Sequence, residues 1–146
     1  MKKVEKLLTN KGYDIWHISP EDSVYSAIKM MEEKGIGALA VLLNGAMIGI
    51  ISERDYARKV ILKNRSSKET KVKEIMTRQV YYTFPEQDIE ECLAIMTKYH
   101  IRHLPVLQNG HVVGMISTGD VVKEIISEQK FKIEHLEHTI SWEESY

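Results

Sequence analysis

Gly114-Met115-Ile116-Ser117-Thr118-Gly119-Asp120 closes an apolar run and opens a helical one. The same pattern, Gly-x-x-Ser-x-x-Asp, stands at Gly49-Ile50-Ile51-Ser52-Glu53-Arg54-Asp55. The offset between the copies is 65, and it holds without a gap from residues 20–61 to residues 85–126. Pro20-Glu21 falls on Pro85-Glu86, Leu39 on Leu104, Val41 on Val106, and Asn44-Gly45 on Asn109-Gly110. An ungapped repeat of this length marks two copies of one supersecondary unit, each too small to bury a core alone. Polar residues recurring at the junction of an apolar and a helical run point to a pair of related binding sites.

Upstream of each motif, two apolar runs are joined by Asn-Gly, at 38–43 and 47–51, then at 103–107 and 112–116. A type I′ turn needs positive φ at both central residues, so this pattern predicts two hairpins. Before each hairpin, apolar residues recur at helical spacing: Val24, Ala27, Ile28, Met31, then Ile89, Cys92, Leu93, Met96. Helices are predicted over 24–34 and 89–99, the first capped by Ser23 and stopped by Gly35. Short strands are expected at 14–18 and near 80–83, and a short helix at 72–76. Ser52 opens a helix predicted from 53 to about 62, and Ser117 opens one extending as far as Ile140. The expected fold is α/β (α+β): two β-α-β-β-α repeats packed through their sheets with pseudo-two-fold symmetry. The chain divides into an N-terminal helix (1–13), repeat 1 (14–62), a linker (63–78), repeat 2 (79–127) and a helical extension (128–146).

Twenty basic and twenty-one acidic residues nearly cancel, which leaves no electrostatic footprint for nucleic acid or a membrane surface. The single Cys92 excludes an intramolecular disulfide and favours a reducing compartment. The longest apolar run, residues 36–43, is far short of the ~20 residues that span a bilayer, and the N-terminus lacks a signal-peptide pattern. A soluble, cytoplasmic protein is expected.

In this order of elements, the twice-repeated motif resembles the cystathionine-β-synthase-type (CBS) domain pair, or Bateman module. Ile101-Arg102-His103-Leu104-Pro105-Val106 ahead of Gly114 to Asp120 is the stronger signature; residues 49–60 carry the other. With its Ser66-Ser67-Lys68 linker, the chain is similar to small stand-alone CBS-pair proteins of bacteria and plant mitochondria. The resemblance implies adenine-nucleotide binding between the two units, with AMP, ADP, ATP, NAD(H) or sometimes S-adenosylmethionine as ligand. It also implies a dimer of modules that senses energy or redox state, regulates another protein and catalyses nothing. No cofactor is required.

The residue types suit such a ligand on their own chemistry. A carboxylate accepts through two oxygens, so Asp55 or Asp120 could hold both ribose hydroxyls. Ser52 and Ser117, with free N–H groups at a helix start, favour phosphate. Arg102 and His103 can add positive charge beside the second motif. The first has Gly37-Ala38 there, and compensates with Arg54 and Arg58. Thr118-Gly119 is replaced by Glu53-Arg54, where Glu53 would repel phosphate unless it points away or meets ribose. Apolar positions at 15–18, 80–83, Ile50 and Met115 could form an adenine slot, and Ile18, Tyr82, Thr83 and Pro105 complete the candidate set. The second site is expected to be the stronger, so Asp120→Ala should weaken binding more than Asp55→Ala.

Rival readings remain. Each Ser-x-x-Asp could be a helix cap alone, worth about 0.5–2 kcal/mol. His100, His103, His135 and His138 lack a completing ligand set, so no metal site is assigned. Met30, Met31, Met47, Met96, Met115 and Cys92 read as packing residues. A constitutive oligomeric adaptor with a degenerate nucleotide site is the competing function. No Ser–His–Asp order, Walker loop or Gly-x-Gly-x-x-Gly supports an enzyme. Ile125, Ile126, Ile133, Leu136 and Ile140 form an apolar stripe on the last helix, which predicts a homodimer using that extension.

Overall fold

The computed structural model of the chain describes residues 2–128. Its elements run α1 (Val4–Lys11), β1 (His17–Ile18), α2 (Val24–Lys34), β2 (Ala38–Leu43), β3 (Ala46–Ser52) and α3 (Glu53–Tyr56). A π-helical turn (Ala57–Ile61) extends α3, and α4 (Val72–Ile75), α5 (Ile89–Tyr99), β4 (His103–Gln108), β5 (His111–Ser117) and α6 (Thr118–Glu128) follow. The first sheet has the order β1-β2-β3 and the second β4-β5. This is the mixed α/β fold expected from the repeat. The expectations for residues 129–146, among them Ile133, Leu136 and Ile140, fall outside the described residues.

Both hairpins turn at Asn-Gly with positive φ at each residue: 53° and 82° at Asn44-Gly45, 53° and 79° at Asn109-Gly110. Ser23 caps α2 by accepting a bond from the Ser26 amide. The left-handed position that ends α2 is Gly35, and its counterpart after α5 is His100, at φ 56°.

Three elements differ from the sequence expectation. Only His17 and Ile18 of the 14–18 segment pair with β2. No strand forms at 80–83; Thr83 alone bridges Val106, donating to the Pro105 carbonyl at 3.0 Å and accepting from the Leu107 amide at 2.9 Å. The next rung of that parallel ladder would need an N–H from residue 105, and proline has none. Ala40, at the same place in repeat 1, keeps its donor. The helix predicted over 53–62 loosens after Tyr56, and the Leu62 amide reaches back to the Ala57 carbonyl at 3.1 Å. Such π-turns shift the register of a helix face; here Val60 is fully buried in the core and Asp55 is nearly so.

Packing crosses the order of the chain. Val4, Leu7 and Leu8 of α1 join the core of repeat 2 with Ile89, Cys92, Leu104 and Ile116. Val72 and Ile75 of α4 join the core of repeat 1 with Val24, Leu39, Val41 and Ile51. The first glycine of each motif lies where these added segments press on a hairpin. A Cβ on Gly49 would stand 2.9 Å from the Thr77 carbonyl oxygen, and one on Gly114 would stand 2.8 Å from Leu8 Cδ2. No helix among the described residues is long and apolar enough to cross a membrane.

Gly49→Ala must move backbone that is itself bonded to Ile50, so it should cost about 1–3 kcal/mol, the usual range for overpacking. Gly114→Ala meets only the end of a flexible side chain and should cost less. Urea unfolding of both variants checks the order; equal costs would show that the Gly49 contact is not what limits the packing.

Candidate functional site

Each motif folds locally as a reciprocal cap. The Ser52 hydroxyl accepts from the Asp55 amide at 3.2 Å, while Asp55 Oδ2 accepts from the Ser52 amide at 3.0 Å and its hydroxyl at 3.1 Å. Ser117 and Asp120 repeat the pattern, at 3.1 Å for the Asp120 amide and 2.8 Å for the Ser117 amide. These bonds satisfy donors that a helix start leaves free, so the capping role is realised twice.

The surroundings of the two carboxylates differ. Asp55 Oδ1 accepts from the Thr77 hydroxyl at 3.0 Å and pairs with Lys59 at 2.9 Å, so all of its acceptor positions are engaged. Asp120 Oδ2 pairs with Lys11 at 2.6 Å, and the same ammonium donates to the Met115 carbonyl at 2.5 Å.

A cleft of about 580 Å³ lies beside the first motif. That volume falls in the range of small-molecule sites. Gly37, Ala38, Ile50, Ser52, Glu53, Arg54, Asp55 and Arg58 line it from repeat 1. Thr77, Gln79, Val80 and Tyr81 form the wall where the linker enters repeat 2, and Ile101, Arg102 and His103 come from repeat 2. Three arginines therefore face two carboxylates. Arg54 spends part of its donor set on the His100 carbonyl, where it also meets the negative end of α5.

Arg102 and His103 thus share a cleft with Ser52 and Asp55, where the sequence grouped them with Asp120; His103 also stays within the field of Asp120. Glu53 does not point away: its Oε1 lies 2.8 Å from where a Gly37 Cβ would stand, and His103 Cε1 lies 3.1 Å from that point. Only a residue without a side chain at position 37 lets both approach. His103 does not supply the expected charge. Burial lowers its pKa below the ordinary value, and the Lys11 charge lowers it further against the pull of Asp120, leaving the imidazole neutral near pH 7. At Asp120, burial would raise the carboxyl, but the Lys11 and Ser117 bonds outweigh it and hold the pKa low.

The remaining candidates lie away from this cleft. Ile18 and Thr83 are buried, Thr83 bonding the Cys92 thiol at 3.2 Å, and Pro105 is buried in β4. Tyr82 is exposed. Met115 and Asp120 bond Lys11, and the Ser117 amide donates to the same Asp120 carboxylate. Gly119 is exposed in the first turn of α6. Thr118 lines a smaller recess with Arg54, Met96, Thr97, His100, Ile101 and Arg102. Sequence reasoning passed over Thr77, Gln79 and Ile101. Their offset partners, Gly12, Asp14 and Ile36, share little chemistry with them except at Ile36. The repeat could have flagged Ile101 and neither of the others.

The CBS-domain family model matches residues 4–62 and 72–127. The chain belongs to the CBS-domain family. A CBS-domain protein structure from Burkholderia ambifaria is 50% identical, with a TM-score of 0.86 over 90% of this chain and 99% of that one. A CBS domain-containing protein of Arabidopsis thaliana named CBSX3, mitochondrial, is 41% identical over 130 residues, covering 86% of this chain. The match spans 63% of that relative's length. A CBS-domain pair solved in complex with 5′-methylthioadenosine and S-adenosyl-L-methionine shares the fold at a TM-score of 0.78 and 24% identity.

The lowered His103 pKa has a defined consequence for stability. As pH falls, the unfolded chain takes up this proton first, near the ordinary 6.5. The stability carried by neutral His103 is therefore full above about pH 6.5 and is lost as pH falls through the folded pKa. Proton NMR of the His103 ring should show a midpoint below 6.5, moving upward in Lys11→Met. A midpoint at or above 6.5 would contradict the burial and charge assigned here.

Proposed function

We propose that the cleft binds an adenosine-containing nucleotide and that this CBS pair is a regulatory sensor acting in trans on another protein. The observation that carries the reading is the meeting, in one cleft, of the Asp55 carboxylate with Arg58 and Arg102 from opposite repeats. Ile50, Val80, Tyr81 and Ile101 offer apolar surface for a base. A ribose hydroxyl would take over an Asp55 acceptor position from the Thr77 hydroxyl, and the arginines would meet phosphate. The adenosine ligands of the related structure are in keeping with this reading. AMP, ADP, ATP and NAD(H) are the ligands to try. The homodimer and the cytoplasmic location expected from the sequence belong to the same proposal.

A ligand held between the repeats favours the folded chain. At about 100 times its dissociation constant it adds roughly 2.7 kcal/mol. Thermal denaturation with each nucleotide at millimolar concentration measures this. The adaptor reading draws on the caps, which hold both helices without any ligand, and no shift with any nucleotide would put it ahead.

The variants discriminate further. Arg102→Ala should weaken AMP by roughly 10- to 150-fold, the loss of a charge-assisted bond, while leaving adenosine unchanged. Asp55→Asn should weaken both more than Asp120→Asn does, which reverses the order expected from the sequence. Calorimetry reads both; equal effects of the two aspartates would move the ligand elsewhere. Light scattering at micromolar concentration tests the homodimer, and a monomer would remove it from the proposal.

A further inference from the structure

The two motifs are alike in sequence and unlike in what faces their carboxylates. At the first, the cleft-side partner of Asp55 is the neutral Thr77 hydroxyl. Lys59 also pairs with Asp55, but it comes from the same helical segment, is tied to the Ile75 carbonyl at 2.8 Å, and does not line the cleft. The counterpart of Thr77 in the other copy is Gly12, which has no side chain. The preceding residue, Lys11, fills the position with a cation. Its ammonium joins Asp120 Oδ2 and the Met115 carbonyl. Met115 is the counterpart of Ile50, a cleft-lining residue.

Lys11 is delivered by an anchored element. Val4, Leu7 and Leu8 fix α1 in the core of repeat 2. Lys2 and Asn10 both bond Glu124, at 2.9 and 2.8 Å, and the Val4 and Glu5 amides donate to the Gln87 and Pro85 carbonyls at 2.9 Å each. The anchored helix fixes the backbone of Lys11, so pairing with Asp120 costs only side-chain freedom. The second motif also has fewer cations than the first, since Gly37 replaces Arg102 and Gly119 replaces Arg54, while Lys123 keeps the charge of Arg58.

We propose that Lys11 is a built-in occupant of the second motif, engaging Asp120 Oδ2 and the Met115 carbonyl so that the chain takes up one adenosine ligand and not two. This rests on the function proposed above. Removal of the lysine's charge returns those acceptors to a ribose.

The test is calorimetric titration with AMP and with adenosine of the wild type, Lys11→Met, Asp55→Asn and the double variant. Methionine keeps the aliphatic length of lysine; Lys11→Gln serves as a second substitution, and thermal melts confirm folding. One ligand per chain is expected for the wild type, two for Lys11→Met, none for Asp55→Asn, and one for the double variant. The affinity of the double variant should exceed that of Asp55→Asn at least about tenfold, the scale of a charge-assisted contact. A wild type that binds one ligand beside a Lys11→Met that still binds one overturns the Lys11 proposal and leaves the function standing. A wild type that binds two, with one lost in Lys11→Met, makes Lys11 a ligand-binding residue and overturns it also. No binding by any variant overturns the proposed function and this inference together.

Discussion

A sheet of two or three short strands cannot bury enough apolar surface to stand by itself, and this constraint governs the molecule. Each hairpin must be covered from outside its own β-β-α unit. Repeat 1 takes its cover from α4, after it in the chain, and repeat 2 takes its cover from α1, at the far end of the chain. The halves are thereby tied to one another by the covalent path of the backbone. Glycine at 49 and 114 follows from the same requirement, because a methyl group there would hold the covering segment off the sheet.

The cleft is a by-product of that arrangement. Once segment 76–77 is drawn onto β3, residues 77–81 have to run past the start of α3. The strand start of repeat 2 then meets the motif of repeat 1, and a single cleft acquires charge from both copies. At the other motif, the segment that covers the sheet ends in a lysine instead of the Met76-Thr77 pair. The same packing need, met by different residues, gives one carboxylate a neutral hydroxyl toward its cleft and the other an ammonium. Pseudo-symmetry of the backbone therefore does not extend to the chemistry of the two sites.

Buried charge in this region is kept tolerable by local pairing. Asp55, nearly buried, has two donors from its own cap and two from Thr77 and Lys59. A fully coordinated carboxylate is costly to disturb. A hydroxyl-bearing ligand must exchange with a donor already present, and three of the four are neutral. His103 reaches the opposite solution, meeting burial and two nearby cations by staying uncharged.

Several features were legible because they depend on residues close in sequence. The repeat, both Asn-Gly hairpins, the helices of 24–34 and 89–99, and the Ser-x-x-Asp caps are set by turn geometry, helical period and i to i+3 bonds. Pro105 marks the limit of such reading: it lies in the predicted strand, yet its missing donor stops a ladder to a segment more than twenty residues away. The candidate site was legible in its residue types and not in its grouping. The sequence alone determined that there would be two carboxylate motifs, each at the start of a helix. Only the tertiary structure decided that Arg102 and His103 line the cleft beside the first of them and that Lys11 closes on the second. The Lys11 to Asp120 contact joins residues 109 apart, and no local spacing encodes it; it exists because α1 must cover the sheet of repeat 2.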